Sequence, residues 1–150
     1  IWGDQVALRK KTVSQTMTVH QHRKGALLTL PTFWKSAPYI HFEKDRENKI
    51  TRVLQAREKD TMPLEGENDA GVFCFSTEVL FEILCYENLS NCRGRETKEY
   101  NLLPIIPFFE KEKDSVALLR IIDEEETIGI CLQKATTTLK NNKVKLDTNN

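Results

Sequence analysis

Apolar residues along this chain fall into short blocks that polar and charged segments separate. The runs GALLTLP, AGVFCF and SVALLRII are continuous and short, which is typical of strands buried on both faces of a sheet. Apolar residues at helical spacing predict a helix from Thr12 to about Lys24, with Gly25 as its stop, and a second helix after Ser76. The blocks therefore predict an alternation of strands and helices.

A hairpin interrupts this alternation. In PYIHFEKDRENKITRVLQ, residues 39–43 and 50–55 are strand-like, and the charged KDRENK between them is typical of a turn. The segment AREKDTMPLEGEND then predicts a long loop, a feature that in a compact domain is usually functional or mobile. We expect an α/β fold with a mainly parallel sheet and an inserted β-hairpin.

The last third of the chain is predicted less regularly. Pro104 and Pro107 bend or break a helix in EYNLLPIIPFF, and a polar helix follows at about 132–139. We expect residues 1–140 to form one domain and residues 141–150 a polar tail.

Polar segments follow the ends of several predicted strands. Asp4, the loop 55–69 and the turn 123–129 all lie at such ends. Because ligands of open α/β sheets bind beyond the carboxyl ends of the strands, we expect these segments to converge on one cleft.

Composition excludes several classes of protein. Among the 150 residues, 22 are Lys or Arg and 22 are Asp or Glu, so no overall field attracts nucleic acid or an anionic membrane. No apolar run approaches the roughly 20 residues that span a bilayer, and no signal peptide is recognisable. The four cysteines are typical of buried free thiols in a reducing compartment, so we expect a cytoplasmic protein without nucleic-acid or membrane partners.

Three positions are candidates for chemistry, each with a structural alternative. Asp4 follows an apolar strand and Gly3, which suits a Mg²⁺ ligand or simply the end of a strand. Asp69 precedes Gly71 in a DAG segment, which faces a ligand or avoids a clash where the loop enters a strand. Glu99 begins an apolar helix, where it accepts a sugar hydroxyl or complements the helix dipole.

Two other polar segments each have a functional explanation and a simpler structural one. The acidic DEEET run suits a metal cluster or a solvated surface, and HQHRK suits phosphate contact or the basic last turn of a helix. The sequence contains no Gly-x-Ser-x-Gly elbow, no cysteine–histidine nucleophile spacing and no phosphate-binding glycine loop.

The order of these motifs resembles one enzyme family. WGDQ, PYIHFEKDRENKITRVLQAREKD, GENDAGVFCF, ETKEYNLLPII and DEEETIGI follow one another as in the sugar-phosphate nucleotidyltransferases, notably the uridylyltransferase domain that makes UDP-N-acetylglucosamine. The resemblance extends over about residues 1–140. It implies a Rossmann-like nucleotidyltransferase fold in which a sugar 1-phosphate attacks the α-phosphate of an NTP with the help of Mg²⁺, releasing pyrophosphate.

The resemblance also implies site residues. Trp2, Gly3 and Asp4 match an aromatic-Gly-Asp motif whose Asp binds the metal. Gln55, or alternatively Arg57, matches a glutamate that contacts the sugar. The remaining matches are an Asn-Thr-Gly motif at Asp69, Ala70 and Gly71, and a Glu-Tyr pair near the sugar pocket at Glu99 and Tyr100.

Departures from the family pattern define the alternatives. Cys131 stands where the family has a metal-binding Asn, and Ile40 stands where it has a glycine against the nucleotide sugar. The family's first strand and Gly-rich loop would precede Ile1, so we expect the C-terminal part of a larger nucleotidyltransferase domain with its first strands missing. The second hypothesis is a non-catalytic module that binds a nucleotide or nucleotide sugar.

Overall fold

A computed structural model describes residues 1–3, 5, 7–85, 92–111, 115–121 and 126 of the chain. The predicted helix at 132–139, the tail at 141–150, Asp4 and Cys131 lie outside these residues. The helices and strands are α1 (Lys10–His22), β1 (Leu28–Ser36), β2 (Ile40–Lys44), β3 (Ile50–Gln55), β4 (Glu65–Asp69), β5 (Cys74–Phe75), α2 (Thr77–Cys85) and β6 (Val116–Arg120), with 3-10 helices at Ala56–Glu58 and Leu103–Phe109.

Strand β1 is the centre of a mixed sheet. β6 pairs with it in parallel along one edge, from Leu28↔Val116 to Thr32↔Arg120. β4 and β5 pair with it in antiparallel orientation along the other edge, through Thr32↔Asp69 and Leu28↔Phe75 respectively. The described fold is therefore α/β, but the expectation of a mainly parallel sheet is wrong for these strands.

The return of the chain after β1 explains the antiparallel pairing. The backbone N–H of Ala37 donates to the carbonyl oxygen of Leu64 at 2.7 Å, just beyond the last residue of β1. The excursion through residues 38–63 thus begins and ends at the same end of β1. A strand that re-enters beside the point of departure must run antiparallel, whereas a parallel strand needs a crossover to the other end.

Segment 65–69, predicted as part of a loop, is the buried strand β4. The apolar content of EGEND is nil, yet its polar side chains find partners. Glu67 accepts from the Thr32 hydroxyl at 2.6 Å and pairs with the Lys44 ammonium at 2.5 Å. Asn68 Oδ1 accepts from the backbone N–H of Ile40 at 2.8 Å. Burial is tolerated here because these polar groups are hydrogen-bonded.

Strands β2 and β3 pair in antiparallel register from Ile40↔Gln55 to Lys44↔Ile50. The Asp45 carboxylate closes the turn between them by accepting from the backbone N–H groups of Glu47 and Lys49, both at 2.9 Å. β2 packs against β4 and β3 packs against the 3-10 helix Leu103–Phe109. The pair thus connects the edge of the main sheet to the core.

The core cluster combines side chains of β1, β2, β3, α2, β6 and the 3-10 helix Leu103–Phe109. Five large apolar side chains of β1 and the 3-10 helix are only 0–1% exposed: Leu28, Leu30, Ile105, Ile106 and Phe109. Pro107 lies inside the helix, and its missing N–H suits a short helix of tight turns better than a regular α-helix. The helix that Pro104 and Pro107 were predicted to bend or break is therefore a 3-10 helix instead of a regular α-helix.

Glu126 stabilises the start of α1. Its carboxylate accepts from the backbone N–H of Arg9 at 3.1 Å and from the Thr12 hydroxyl at 2.5 Å. α1 therefore begins at Lys10, and Thr12 lies inside the helix rather than capping it as predicted. Glu126 is only 5% exposed, so this member of the DEEET run is not solvated; it places a negative charge at the positive end of the helix.

The described cysteines are free thiols. Cys92 is buried and Cys74 half-buried, and burial raises the pKa of both thiols, whereas Cys85 is exposed. The expectation of buried thiols therefore fails for Cys85. Within the described ranges, no helix has the length and apolar character that spanning a bilayer requires.

We expect Thr12→Val to lower the free energy of unfolding by about 1–3 kcal/mol, because it removes a buried hydrogen bond to a carboxylate. Urea denaturation measures the change. Thr18→Val is the matched control, since Thr18 lies on the same helix and is exposed. Equal stabilities of the two variants would contradict the role assigned to Glu126.

Candidate functional site

A cavity of about 580 Å³ lies where β1 and β4 meet the segment 99–103. Its volume is in the range of small-molecule sites in proteins. Residues from segments that are far apart in the sequence line it: Trp2, Gln5, Phe33, Lys35, Tyr39, Ile40, Arg57, Asn68, Asp69, Glu99, Tyr100, Asn101, Leu102 and Leu103. Trp2, Asp69 and Glu99, which lie far apart in the sequence, are thus brought together.

Asp69 joins the N-terminal segment to the sheet. Its Oδ2 accepts from the indole N–H of Trp2 at 3.3 Å and from the backbone N–H of Gly71 at 3.0 Å. The backbone N–H of Trp2 donates in turn to the Gly71 carbonyl oxygen at 2.8 Å. The Trp2 ring also meets the Phe73 ring edge-on at 5.5 Å between centroids. Asp69 therefore both lines the cavity and holds its wall in place.

Gly71 is required by conformation and by space. Its φ of +73° lies in the left-handed region, which costs residues with a Cβ roughly 1–2 kcal/mol. A Cβ there would lie 2.7 Å from Gln5 Cγ and 2.8 Å from Trp2 Cδ1. The small residue thus lets the N-terminal segment approach, which is the structural alternative that the sequence left open for this position.

Glu99 and Arg57 lie at the rim on facing segments. Glu99 Oε2 is 3.7 Å from Arg57 Nη1, and the Glu99 side chain is 69% exposed. Glu99 does not begin a regular helix, because the next helical residues are Leu103–Phe109. The helix-dipole explanation for Glu99 is therefore not supported, and its carboxylate faces solvent at the cavity.

Gln55 lies behind the cavity wall rather than in it. Gln55 is only 3% exposed. Its Oε1 accepts from Asn101 Nδ2 and, at 3.3 Å, from Arg57 Nε. Asn101 and Arg57 themselves line the cavity. Of the two residues that the resemblance offers for the sugar-contacting glutamate, Arg57 thus reaches the cavity, and Gln55 positions it.

Glu58 holds the loop that leads to Glu99, and the sequence offered no signal for this role. Its carboxylate accepts from the Thr97 hydroxyl at 2.6 Å and from the Glu96 backbone N–H at 2.8 Å. Its own carbonyl oxygen accepts from Arg95 at 2.9 Å. The Thr97 hydroxyl, followed by the Glu96 N–H, lowers the pKa of the Glu58 carboxyl below its usual 4.5. One carboxylate thereby anchors the 94–99 wall.

The cavity presents both signs of charge and several amides. Lys35 and Arg57 are basic, Asp69 and Glu99 are acidic, and Tyr39 and Tyr100 are exposed aromatic rings. Gln5, Asn68 and Asn101 add side-chain amides. Such a set can bind a ligand that carries hydroxyl groups together with a negative group. Lys35, Gln5 and Asn101 were not predicted, because only the folded chain places them beside the motif residues.

The predicted metal ligand Asp4 lies outside the described residues, between Trp2 and Gly3 on one side and Gln5 on the other. Among the residues that the structure describes, no group of three or more His, Cys, Asp or Glu side chains could hold a metal. The Asp69 carboxylate is hydrogen-bonded to Trp2 and Gly71. The assignment of Asp4 as a Mg²⁺ ligand therefore stays a prediction.

The predicted convergence of three strand ends is met in part. Trp2 and Gln5, which flank Gly3 and Asp4, meet Arg57 and Asp69 at the cavity. In the 123–129 turn only Glu126 is described, and it binds the start of α1 instead.

Comparison with known proteins shows similarity to GlmU proteins from several bacteria. The chain is 31% identical over 143 residues to the bifunctional protein GlmU of Enterococcus faecalis, covering 92% of this chain and 30% of that protein. It is 31% identical over 133 residues to GlmU of Carboxydothermus hydrogenoformans, and 25% identical over 133 residues to GlmU of Bacillus licheniformis. These two alignments cover 85% and 87% of this chain, respectively, and 28% of each relative. No protein-family model matches the chain.

The chain is thus an α/β protein with a mixed sheet, and its homologues are GlmU proteins. It spans about 30% of the length of these curated relatives.

We expect Gly71→Ala to destabilise the chain more than Gly25→Ala, by about 1 kcal/mol or more. Both glycines have positive φ, +73° and +81°, so both substitutions incur the same backbone strain. Only at Gly71 would the new Cβ meet neighbours, whereas the space at Gly25 is open. Urea denaturation in a Trp34→Phe background, where Trp2 fluorescence reports the cavity wall, measures both effects. Equal losses and unchanged Trp2 emission would contradict the packing described.

We expect Glu58→Gln to destabilise the chain in a pH-dependent way. Because the pKa of Glu58 is lowered in the folded state, its ionised form contributes stability above the usual pKa of 4.5, and this contribution is lost as the pH falls through the lowered pKa. The difference in melting temperature from the parent chain should therefore be largest near pH 7 and shrink on acidification to about pH 3.

The matched control for this series is Glu65→Gln, because Glu65 is exposed. Its stability should follow the parent chain at each pH. A difference for Glu58→Gln that stays constant with pH would contradict the anchoring role of the carboxylate.

Proposed function

We propose that the chain is part of a sugar-phosphate nucleotidyltransferase, which transfers a nucleotidyl group from an NTP to a sugar 1-phosphate and releases pyrophosphate. The observation that carries this proposal is the meeting of three separate motif segments around one cavity. Trp2, Asp69 and Glu99 each come from a segment that resembles the family, and each lines the same 580 Å³ space. The similarity to GlmU proteins over about nine-tenths of the chain supports the same class.

The sugar would occupy the side of the cavity formed by Asp69, Glu99 and Asn101. Carboxylates accept hydrogen bonds from sugar hydroxyls, and the Asn101 amide both donates and accepts. The Trp2 ring, 36% exposed, offers an apolar wall. Because Asp69 Oδ2 already accepts from Trp2 and Gly71, the more exposed Glu99 is the freer acceptor for a ligand.

The reaction needs positioning and charge neutralisation more than a nucleophilic side chain. An in-line displacement at phosphorus develops negative charge on phosphate oxygens, which cations stabilise. Arg57 lies at the cavity for this role. We propose that Asp4 binds Mg²⁺ together with phosphate oxygens of the substrates; when bound, the metal supplies further neutralisation of the phosphates.

One observation favours a second candidate, a non-catalytic module that binds a nucleotide or nucleotide sugar. Ile40 stands where the family has a glycine, and it lines the cavity. Its backbone N–H is held by Asn68 at 2.8 Å, so the side chain cannot easily withdraw. A ligand would then bind in a shifted position that is unsuited to transfer.

We expect the 150-residue chain to bind N-acetylglucosamine 1-phosphate, and Glu99→Gln to weaken that binding about tenfold, because a hydroxyl bonded to a carboxylate loses its charged acceptor. Isothermal titration calorimetry measures both affinities. Glu96→Gln is the matched control, since Glu96 lies on the same loop, pairs with Lys59 and does not line the cavity. Equal affinities of the two variants would remove Glu99 from the site, and absence of binding to the parent chain would count against the function.

A second arm separates the two candidate functions. Binding that strengthens with Mg²⁺, and loses this dependence in Asp4→Asn, supports the transferase assignment. Binding that is indifferent to Mg²⁺ in both chains supports the binding module.

A further inference from the structure

Lys35 is the cation of the cavity that forms no ion pair with the residues that the structure describes. β1 directs alternate side chains to one face, so Phe33 and Lys35 both line the cavity. Among the described residues, no carboxylate forms an ion pair with Lys35. Arg57, the other basic group of the cavity, lies 3.7 Å from Glu99 and 3.8 Å from Glu58. The charge of Arg57 is therefore balanced by two carboxylates, those of Glu58 and Glu99, whereas that of Lys35 is not balanced by any described carboxylate.

The register between β1 and β4 explains why no acid of β4 forms an ion pair with Lys35. Its register partner on β4 is Gly66, which has no side chain. The space that a side chain would take there is filled by the His41 imidazole, which a Cβ on Gly66 would overlap. Glu65 and Glu67, the acids on either side of Gly66, pair in register with Ser36 and Trp34 and so lie on the opposite face of the sheet. No cross-strand acid is therefore available to Lys35 on this face of the sheet.

Gln5 is a second polar residue of the cavity, and its side-chain oxygen has no hydrogen-bond partner among the described residues. Its Oε1 atom is buried without any hydrogen bond, and its Cγ packs in the space beside Gly71. Buried polar atoms in proteins are nearly always hydrogen-bonded, so this side chain is an unsatisfied part of the cavity wall. Within the described part of the chain, the cavity thus combines a cation without an ion-pair partner and an amide oxygen without a hydrogen-bond partner.

We infer that Lys35 binds the phosphate group of the ligand in this cavity. A lysine ammonium is a compact point charge with three donors, which suits phosphate oxygens. Asp69 and Glu99 line the same cavity and repel a phosphate, so the group is drawn to Lys35, where no acid competes for it. This inference rests on the proposed function for the identity of the ligand. Lys35 is not among the positions that the family resemblance implies.

The test compares Lys35→Ala with Lys24→Ala in the full chain. Both variants remove one positive charge, and Lys24 is an exposed residue outside the cavity. The titrants are N-acetylglucosamine 1-phosphate, neutral N-acetylglucosamine and inorganic phosphate, measured by calorimetry. We expect Lys35→Ala to weaken binding of the sugar phosphate and of inorganic phosphate by about tenfold or more, with neutral sugar unaffected. Lys24→Ala should leave all three affinities unchanged.

The contrary results separate the role of Lys35 from the proposed function. If the parent chain binds the sugar phosphate and Lys35→Ala binds it equally well, the role of Lys35 is refuted while the proposed function stands. If the parent chain binds inorganic phosphate but no sugar phosphate, the proposed function fails, and a tenfold loss in Lys35→Ala still supports the phosphate contact. Equal weakening of neutral sugar and sugar phosphate would refute the inference, since it would report a change of cavity shape. Absence of binding by all three titrants would refute it as well.

Discussion

The closure of the chain between Ala37 and Leu64 is the constraint on which the site depends. That hydrogen bond makes β4 return beside the end of β1, so the strands pair in antiparallel register through Phe33↔Asn68 and Lys35↔Gly66. Paired residues of neighbouring strands point to the same face of a sheet. The cavity therefore acquires side chains from both strands, and the face of β1 that carries Lys35 becomes its floor.

Two carboxylates then hold the walls of the cavity from different directions. Asp69 fixes the N-terminal segment through the Trp2 indole and the Gly71 backbone. Glu58 fixes the 94–99 loop through Thr97 and Glu96. Both acids are buried, so their hydrogen bonds are shielded from water. Glu99 and Lys35 remain exposed and can contact a ligand. Asp69 and Glu58 thus hold the walls in place, and a polar binding site needs such supporting residues behind those that touch the ligand.

Patterns within single elements were predictable, and partners between elements were not. Residues 50–55 form a strand with the predicted bounds, because the β-branched residues of ITRVLQ are a strong local signal. EGEND has no such signal, and it is a strand only because Thr32, Lys44 and Ile40 satisfy its side chains. Glu126 escaped prediction for the same reason, since its helical partners lie more than a hundred residues away.

The amino-acid sequence by itself determined the alternation of helices and strands, the absence of a long apolar span and the motif residues Trp2, Asp69 and Glu99. The first two follow from local propensity and composition, and the motif residues follow from the resemblance to sugar-phosphate nucleotidyltransferases; none of them needs knowledge of distant contacts. Only the tertiary structure decided that the sheet is mixed, that Gln55 lies behind Arg57 and that Lys35 faces the cavity without an acid opposite it. Each of these depends on which distant segments become neighbours, and local sequence does not specify those long-range partners.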